Sequence, residues 1–230
     1  MNKHLVIIGA GPGLAFATAH RFATAGYSIT LVGRTRSRLS ELATNLATAG
    51  EEVSIEVADV TDHDGLRHTL RRIDDTHPVD AAIFQPSGGS DFLDVLEATV
   101  DSTRPHIEML TLGSIAVGEV LVPRMIARGS GSLVFVGGGS ARTPLRYFGN
   151  LGPAMAGMRH YALTLSRALR DTGVTSSFFT VAGMIVAEPD GPQEIAVSAL
   201  AERLHQLVDD DRVAEVLMTP DGEVAVGKKS

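Results

Sequence analysis

The chain has 230 residues, 44% of them apolar and 20% charged, a formal net charge of −7 and no cysteine. That size and composition build one large core and call for no second domain, while the negative charge argues against nucleic acid or an anionic membrane as partner, because both require a basic surface. Lack of cysteine excludes disulfides, thiolate zinc sites and thiol redox chemistry, and the histidines show no HxxxH or HExxH spacing that would support a metal site.

Short apolar runs alternate with helix-period segments along the whole sequence, the pattern of parallel strands joined by crossover helices. The expected fold is α/β, a Rossmann-type doubly wound and mainly parallel sheet with helices on both faces, formed by one domain over residues 1–230. The first strand is His4 to Ile8; the apolar run containing it is too short to span a bilayer and is broken by Gly11-Pro12-Gly13, which predicts a cytoplasmic protein. A helix with small residues on one face follows, closed by Gly26. Ser28 to Val32 is a second strand, and Leu39, Leu42, Ala43 and Leu46 mark a helix ending at Gly50. Val53 to Val57, Val79 to Phe84 and Leu133 to Val136 read as strands three to five. Between them lie a helix marked by Leu66, Leu70 and Ile73 and a long helix from Pro105 to Arg128. Gly152 to Asp171 is a helix ended by Gly173, Val174 to Val181 strand six, Pro192 to Val208 a last helix and Val213 to Met218 a seventh strand.

Gly9, Gly11 and Gly13, with Pro12, Leu14 and Ala15, follow directly on an apolar strand and open a helix. In that context glycines let the backbone turn sharply against a pyrophosphate, and the helix N-terminus offers free N–H groups and partial positive charge; a plain tight turn between strand and helix is the alternative. The second strand ends Val32-Gly33-Arg34 without the acidic side chain that would meet the ribose hydroxyls of NAD. Arg34, with Arg36 and Arg38 nearby, suits a 2′-phosphate, which favours NADP(H) over NAD(H); the alternative is a solvated helix start. Asp59 and Val60, at the end of strand three, are placed to meet an adenine ring, or Asp59 caps the following helix.

On Gly9 through Ala15 as a GxxxGxA turn, Arg34, Asp59-Val60, the Gln85-Pro86-Ser87-Gly88 turn and Gly183, the sequence resembles the short-chain dehydrogenase/reductase family over essentially its whole length. The resemblance implies a seven-stranded NAD(P)-binding oxidoreductase, with Gln85, Gly183 and Ile185 added to the cofactor contacts. It also implies a Tyr and Lys four residues apart, a Ser after strand five and an Asn in the long helix. The matching positions are Leu151, Met155, Gly138 and Leu110, and no Tyr-x-x-x-Lys occurs anywhere in the chain. Carbonyl reduction in the family uses Tyr as proton donor, Lys to lower its pKa and bind ribose, and Ser to polarise the carbonyl.

Candidate replacements follow strand five: Ser140, Arg142, Arg146 and Tyr147, with Gln85 and Ser87 also near the carboxyl edge of the sheet. Tyr147 precedes Leu151 by one helical turn, and packing of Tyr147-Phe148 within the loop is the alternative. His160 and Tyr161 turn away from the cofactor face, toward the surface through which the family dimerises. Ala187 to Pro192 is a polar, turn-rich connection where the family usually carries a longer lid, so the site is expected to be open. Three functions remain open: an atypical NADP(H)-dependent oxidoreductase, a non-redox enzyme such as a cyclase, isomerase or dehydratase, and an inactive regulator that senses NADP(H) or a metabolite. A homodimer or homotetramer acting on a small molecule, without a metal, is expected.

Overall fold

The computed structural model describes residues 2–47, 53–87, 91–209 and 213–226, without the side chains of 225 and 226. Gly50 and Gly88, assigned above to a helix end and a turn, lie outside the described residues. In chain order the elements are β1 (His4–Ile8), α1 (Leu14–Thr24), β2 (Ser28–Gly33), α2 (Arg36–Ala47), β3 (Val53–Val57), α3 (His63–Thr76) and β4 (Ala81–Phe84). There follow α4 (Val100–His106), a π-helical segment Ile107–Leu112, α5 (Gly113–Arg128), β5 (Gly131–Gly138), α6 (Gly152–Ala168), β6 (Val174–Val181), β7 (Met184–Val186), β8 (Glu194–Ala196), α7 (Val197–Asp209), β9 (Glu215–Thr219) and β10 (Gly222–Val226).

The main sheet has eight strands in the order β10-β9-β6-β5-β4-β1-β2-β3. All neighbours pair in parallel except β10, which returns antiparallel on β9. Every residue of β1, β2 and β4 is buried, as parallel strands covered by helices on both faces require. Alternation along β1 divides the core: Val6 and Ile8 join the cluster under α3, α5 and α6, Leu5 and Ile7 that under α1, α2 and α7. The strand order reverses between β1 and β4, so the crevice at the carboxyl ends of these two strands is the topological switch point where ligands bind in this architecture.

Differences from the sequence reading have local causes. Strand four starts at Ala81 because the Val79 N–H donates instead to Asp74 Oδ1 at 2.8 Å. Residues 192–196 are not helical: β8 pairs in parallel with β7, and α7 begins only at Val197. The long helix starts at Val100, where Thr99 and Ser102 form a capping box, and it carries Pro105 inside. Directly after this proline, which has no N–H to donate, the winding loosens to the π-helix of Ile107–Leu112. The 29-residue stretch from Val100 to Arg128 is long and apolar enough to cross a membrane, yet Ala116, Val117, Val120, Leu121 and Met125 are buried in the core, the placement of an internal helix.

Candidate functional site

The turn after β1 is fixed by backbone geometry. Gly9 has φ +87°, and a Cβ there would fall 2.5 Å from Pro86 N and Cα, so only glycine fits between the ends of β1 and β4. The Gly9 and Ala10 N–H groups both donate to Val32 O, at 2.9 and 3.0 Å, tying the turn to β2. Gly13 caps α1 without any side-chain hydrogen bond, and the first turn of α1 holds no acidic residue. The N-terminal N–H groups of α1 are thus left to a ligand. A Cβ at Gly11 or Gly13 would meet nothing within 4 Å; both residues face open space.

That space is a cavity of about 880 Å³ along the switch point. Its wall includes Gly9 and the segments 11–15, 85–87, 136–140 and 181–185. Met109, Leu110, Leu151, Met155, Phe92, Leu145 and Phe148 also line it, with Thr143 and Gln193 adding polar groups. The π-helical winding puts two successive residues, Met109 and Leu110, on this wall. Gln85 Oε1 is buried without a hydrogen-bond partner, an acceptor available to a donor on a bound molecule. No Asp, Glu, Lys, Arg or His occurs among the described lining residues.

Of the residues singled out from sequence, Gly9, Gly11, Pro12, Gly13, Leu14, Gln85, Gly183, Ile185 and Ser140 come together on this cavity. Arg34 is exposed at the end of β2, outside the lining; among the described residues Arg34, Arg36 and Arg38 form no ion pair. Asp59 accepts from the Thr61 N–H (2.9 Å) and hydroxyl (2.8 Å). Burial pushes its carboxyl up, but these bonds and the Arg34 charge outweigh that and hold it below the usual carboxylate range. The cap of α3 is Asp62, whose side chain accepts from the Gly65 N–H, and not Asp59. Val60 is buried in the core beside Gly113 rather than on the cavity.

The loop after β5 separates the proposed catalytic groups. Tyr147 is 69% exposed and absent from the lining, although Leu145 and Phe148 on either side of it belong there. Arg146 is ion-paired with Asp94 on the outside of the loop. Arg142 is an anchor: it lies 2.5 Å from the buried carboxylate of Glu215, which Arg159 also holds through two hydrogen bonds of 2.6 and 2.9 Å. Burial pushes the Glu215 carboxyl up, and the bonds from Arg159 and then Arg142 pull it below its ordinary range. His160 is exposed, and Tyr161 is half-buried with its ring edge-on to Phe135 and its hydroxyl against Gly118. Leu110, Gly138, Leu151 and Met155 all line the cavity. Phe92, Leu145, Thr143 and Met184 were not foreseen; Phe92 and Leu145 come from irregular loops that no periodic pattern marks. Among the described residues no group of three or more metal-ligating side chains is found.

The family model for short chain dehydrogenase matches residues 3–187. The chain therefore belongs to the short chain dehydrogenase family, oxidoreductases with the Rossmann NAD(P)-binding fold. It is 29% identical to an uncharacterised oxidoreductase of Mycobacterium tuberculosis, across 99% of this chain and 89% of the relative. An uncharacterised oxidoreductase of Staphylococcus epidermidis is 27% identical across 75% of this chain and 74% of its own length. Among solved structures, L-sorbose reductase from Gluconobacter frateurii, complexed with NADPH and L-sorbose, superposes with a TM-score of 0.81 at 22% identity, covering 91% of this chain and 90% of that one. An alcohol dehydrogenase from the archaeon Thermococcus sibiricus, complexed with 5-hydroxy-NADP, gives 0.82 at 20% identity, covering 99% of each. At such identities the structures show the shared fold.

Proposed function

We propose that this chain is an NADP(H)-binding oxidoreductase that acts on a small molecule in the cytoplasm by an atypical route, without a tyrosine–lysine pair. The observation that carries this reading is the continuity of the cavity, from the uncapped N-terminus of α1 to Leu151 and Met155. The residues fit a dinucleotide. The N–H groups at the start of α1 would hold its pyrophosphate, Gln85 Oε1 would accept from one of its donors, and the exposed guanidinium of Arg34 would receive a 2′-phosphate. When bound, the nicotinamide supplies or accepts the hydride. In the other half of the cavity the hydroxyls of Ser140 and Thr143 are the donors for polarising a carbonyl oxygen. Since Tyr147 and Arg146 lie outside, the proton is exchanged with water or with the substrate itself.

A second reading, a protein that binds NADP(H) without turnover, is favoured by one observation: no titratable side chain occurs among the described lining residues. Calorimetric titration with NADPH and then NADH, followed by a substrate screen at the nicotinamide absorbance band, separates the two. NADPH is expected to bind more tightly, and Arg34→Ala to lower NADPH affinity by about tenfold while leaving NADH unchanged, the effect of one exposed charge-assisted contact. Failure to bind either dinucleotide sinks both readings. Assembly as a dimer through α5 and α6 is part of the proposal, and light scattering showing a monomer at micromolar concentration would contradict it.

A further inference from the structure

The second half of the cavity has a constructed wall. Residues 91–97 lie along residues 145–150, and Asn150, 2% exposed, fastens the two segments. Its Oδ1 accepts from the Leu93 N–H at 3.0 Å and its Nδ2 donates to Asp91 O at 2.7 Å. The Val95 N–H donates to Arg146 O and the Gly149 N–H to Leu93 O, both at 2.9 Å. A Cβ on Gly149 would fall 2.4 Å from Val95 Cα, so the segments touch backbone to backbone. This fastening brings the rings of Phe92 and Phe148 to 4.8 Å between centroids.

Phe92, Leu145, Met184 and Ile185 are exposed by 46%, 46%, 58% and 43%, yet all four line the cavity. They surround its mouth with apolar surface, a placement that marks a binding site rather than scattered exposed residues. Further in, Leu110, Leu151 and Met155 continue that surface, with no charged side chain among the described lining residues.

We infer that this half of the cavity takes an uncharged, mainly aliphatic or aromatic molecule, its apolar part lying against Phe92, Phe148, Met184 and Ile185, and rejects molecules bearing a carboxylate or phosphate there. The inference rests on the reading of the cavity as a joint cofactor and substrate site. A carboxylate brought here would lose its water without gaining a cation, whereas each apolar group gains from the area it removes from water.

The test is calorimetry on the full chain, with and without saturating NADPH, using 2-nonanone and 2-oxononanoate, which share a chain length and differ by one carboxylate. 2-Nonanone is expected to bind at least tenfold more tightly, with a negative heat-capacity change. Equal or tighter binding of the keto acid, or no ketone binding in either state, overturns the inference. Met184→Lys, at the most exposed of these rim positions, should shift preference toward the keto acid by about fivefold or more, and an unchanged preference removes the mouth from the binding surface. NADPH titrated alone separates this inference from the reading beneath it. Ketone binding without NADPH binding keeps the apolar site and discards the cofactor, and NADPH binding with keto-acid preference does the reverse.

Discussion

The two halves of the cavity are built by different means. Around β1 and α1 the contacts are made by backbone: a glycine turn, an uncapped helix end and a crossing between Gly9 and Pro86 too close for any side chain. From β5 to α6 the contacts are made by side chains, and apart from the Ser140 and Thr143 hydroxyls those are apolar or absent: Gly138, Leu151, Met155, Phe148. The comparison teaches that binding a dinucleotide and processing a substrate are separable. Backbone geometry demands glycine at particular torsions and allows little change, while side-chain chemistry can be replaced one residue at a time without disturbing the fold.

The strongest way to break the comparison is Gly9→Ala. The φ of +87° and the 2.5 Å approach to Pro86 force β1 and β4 apart at the switch point. The expected cost is about 2–4 kcal/mol of stability and an NADPH affinity reduced by about a hundredfold or more, read by urea denaturation and calorimetry. Unchanged NADPH affinity would show that the glycine turn is not the pyrophosphate site. A second experiment sharpens the comparison by changing the side chains of the second half. Gly138→Ser, Leu151→Tyr and Met155→Lys together return the three side chains that the family resemblance assigns to these positions, and a Cβ at Gly138 meets nothing within 4 Å. With NADPH and an apolar ketone, reductase turnover should rise by about a hundredfold, the contribution of a placed proton donor. No gain, with NADPH still bound, would mean that the nicotinamide end is not presented to this half at all.

The same contrast explains what could be read from the sequence. β1, α1 and β2 follow from periodicity and glycine placement, because parallel strands buried on both faces leave unbroken apolar runs. Gly9, Gly11 and Gly13 were legible as a strand-to-helix turn for the same reason: their constraint is local. Tyr147 was not, since whether a loop side chain turns inward depends on contacts distant in sequence, here Arg146 with Asp94 and Asn150 with Leu93. Arg142 looked like a polarising group until β9, far along the chain, brought Glu215 to it. The small β7–β8 ladder escaped notice because three-residue strands carry no usable period.

Asn150→Ala probes the boundary between the halves. It removes an acceptor from the Leu93 N–H and a donor from Asp91 O in a buried setting, which is expected to cost about 1–3 kcal/mol in urea denaturation. NADPH affinity should stay within about twofold, since Asn150 is not part of the cavity lining. Loss of 2-nonanone binding with retained NADPH binding is the expected signature; loss of both together would show that the two halves are one cooperative unit.

Buried titratable side chains lie away from the described cavity lining, His4 at the start of β1 and Asp74 in α3. His4, 3% exposed, stacks on His77 with ring centroids 4.4 Å apart, and its Nε2 lies 2.8 Å from Thr30 Oγ1. Burial holds it below the ordinary histidine value; the hydrogen bond to His77 O and the charge of Asp80 oppose this, and the neighbouring His77 ring adds to it. Asp74 is shifted down as well: burial pushes its carboxyl up, and the bonds from the Val79 N–H, Arg128 and Arg124 outweigh it. For both groups the unfolded chain takes up protons before the folded one, so stability is present at higher pH and lost on acidification. Urea midpoints should hold from pH 8 to 7 and fall as pH drops through about 6.5, the unfolded histidine value. They should fall again below about 4, where Asp74 and Glu215 are protonated in the unfolded chain. His4→Gln should abolish the first decline and keep the second. A first decline of the same size in that variant would assign it to another histidine and leave the His4 imidazole without a part in acid sensitivity.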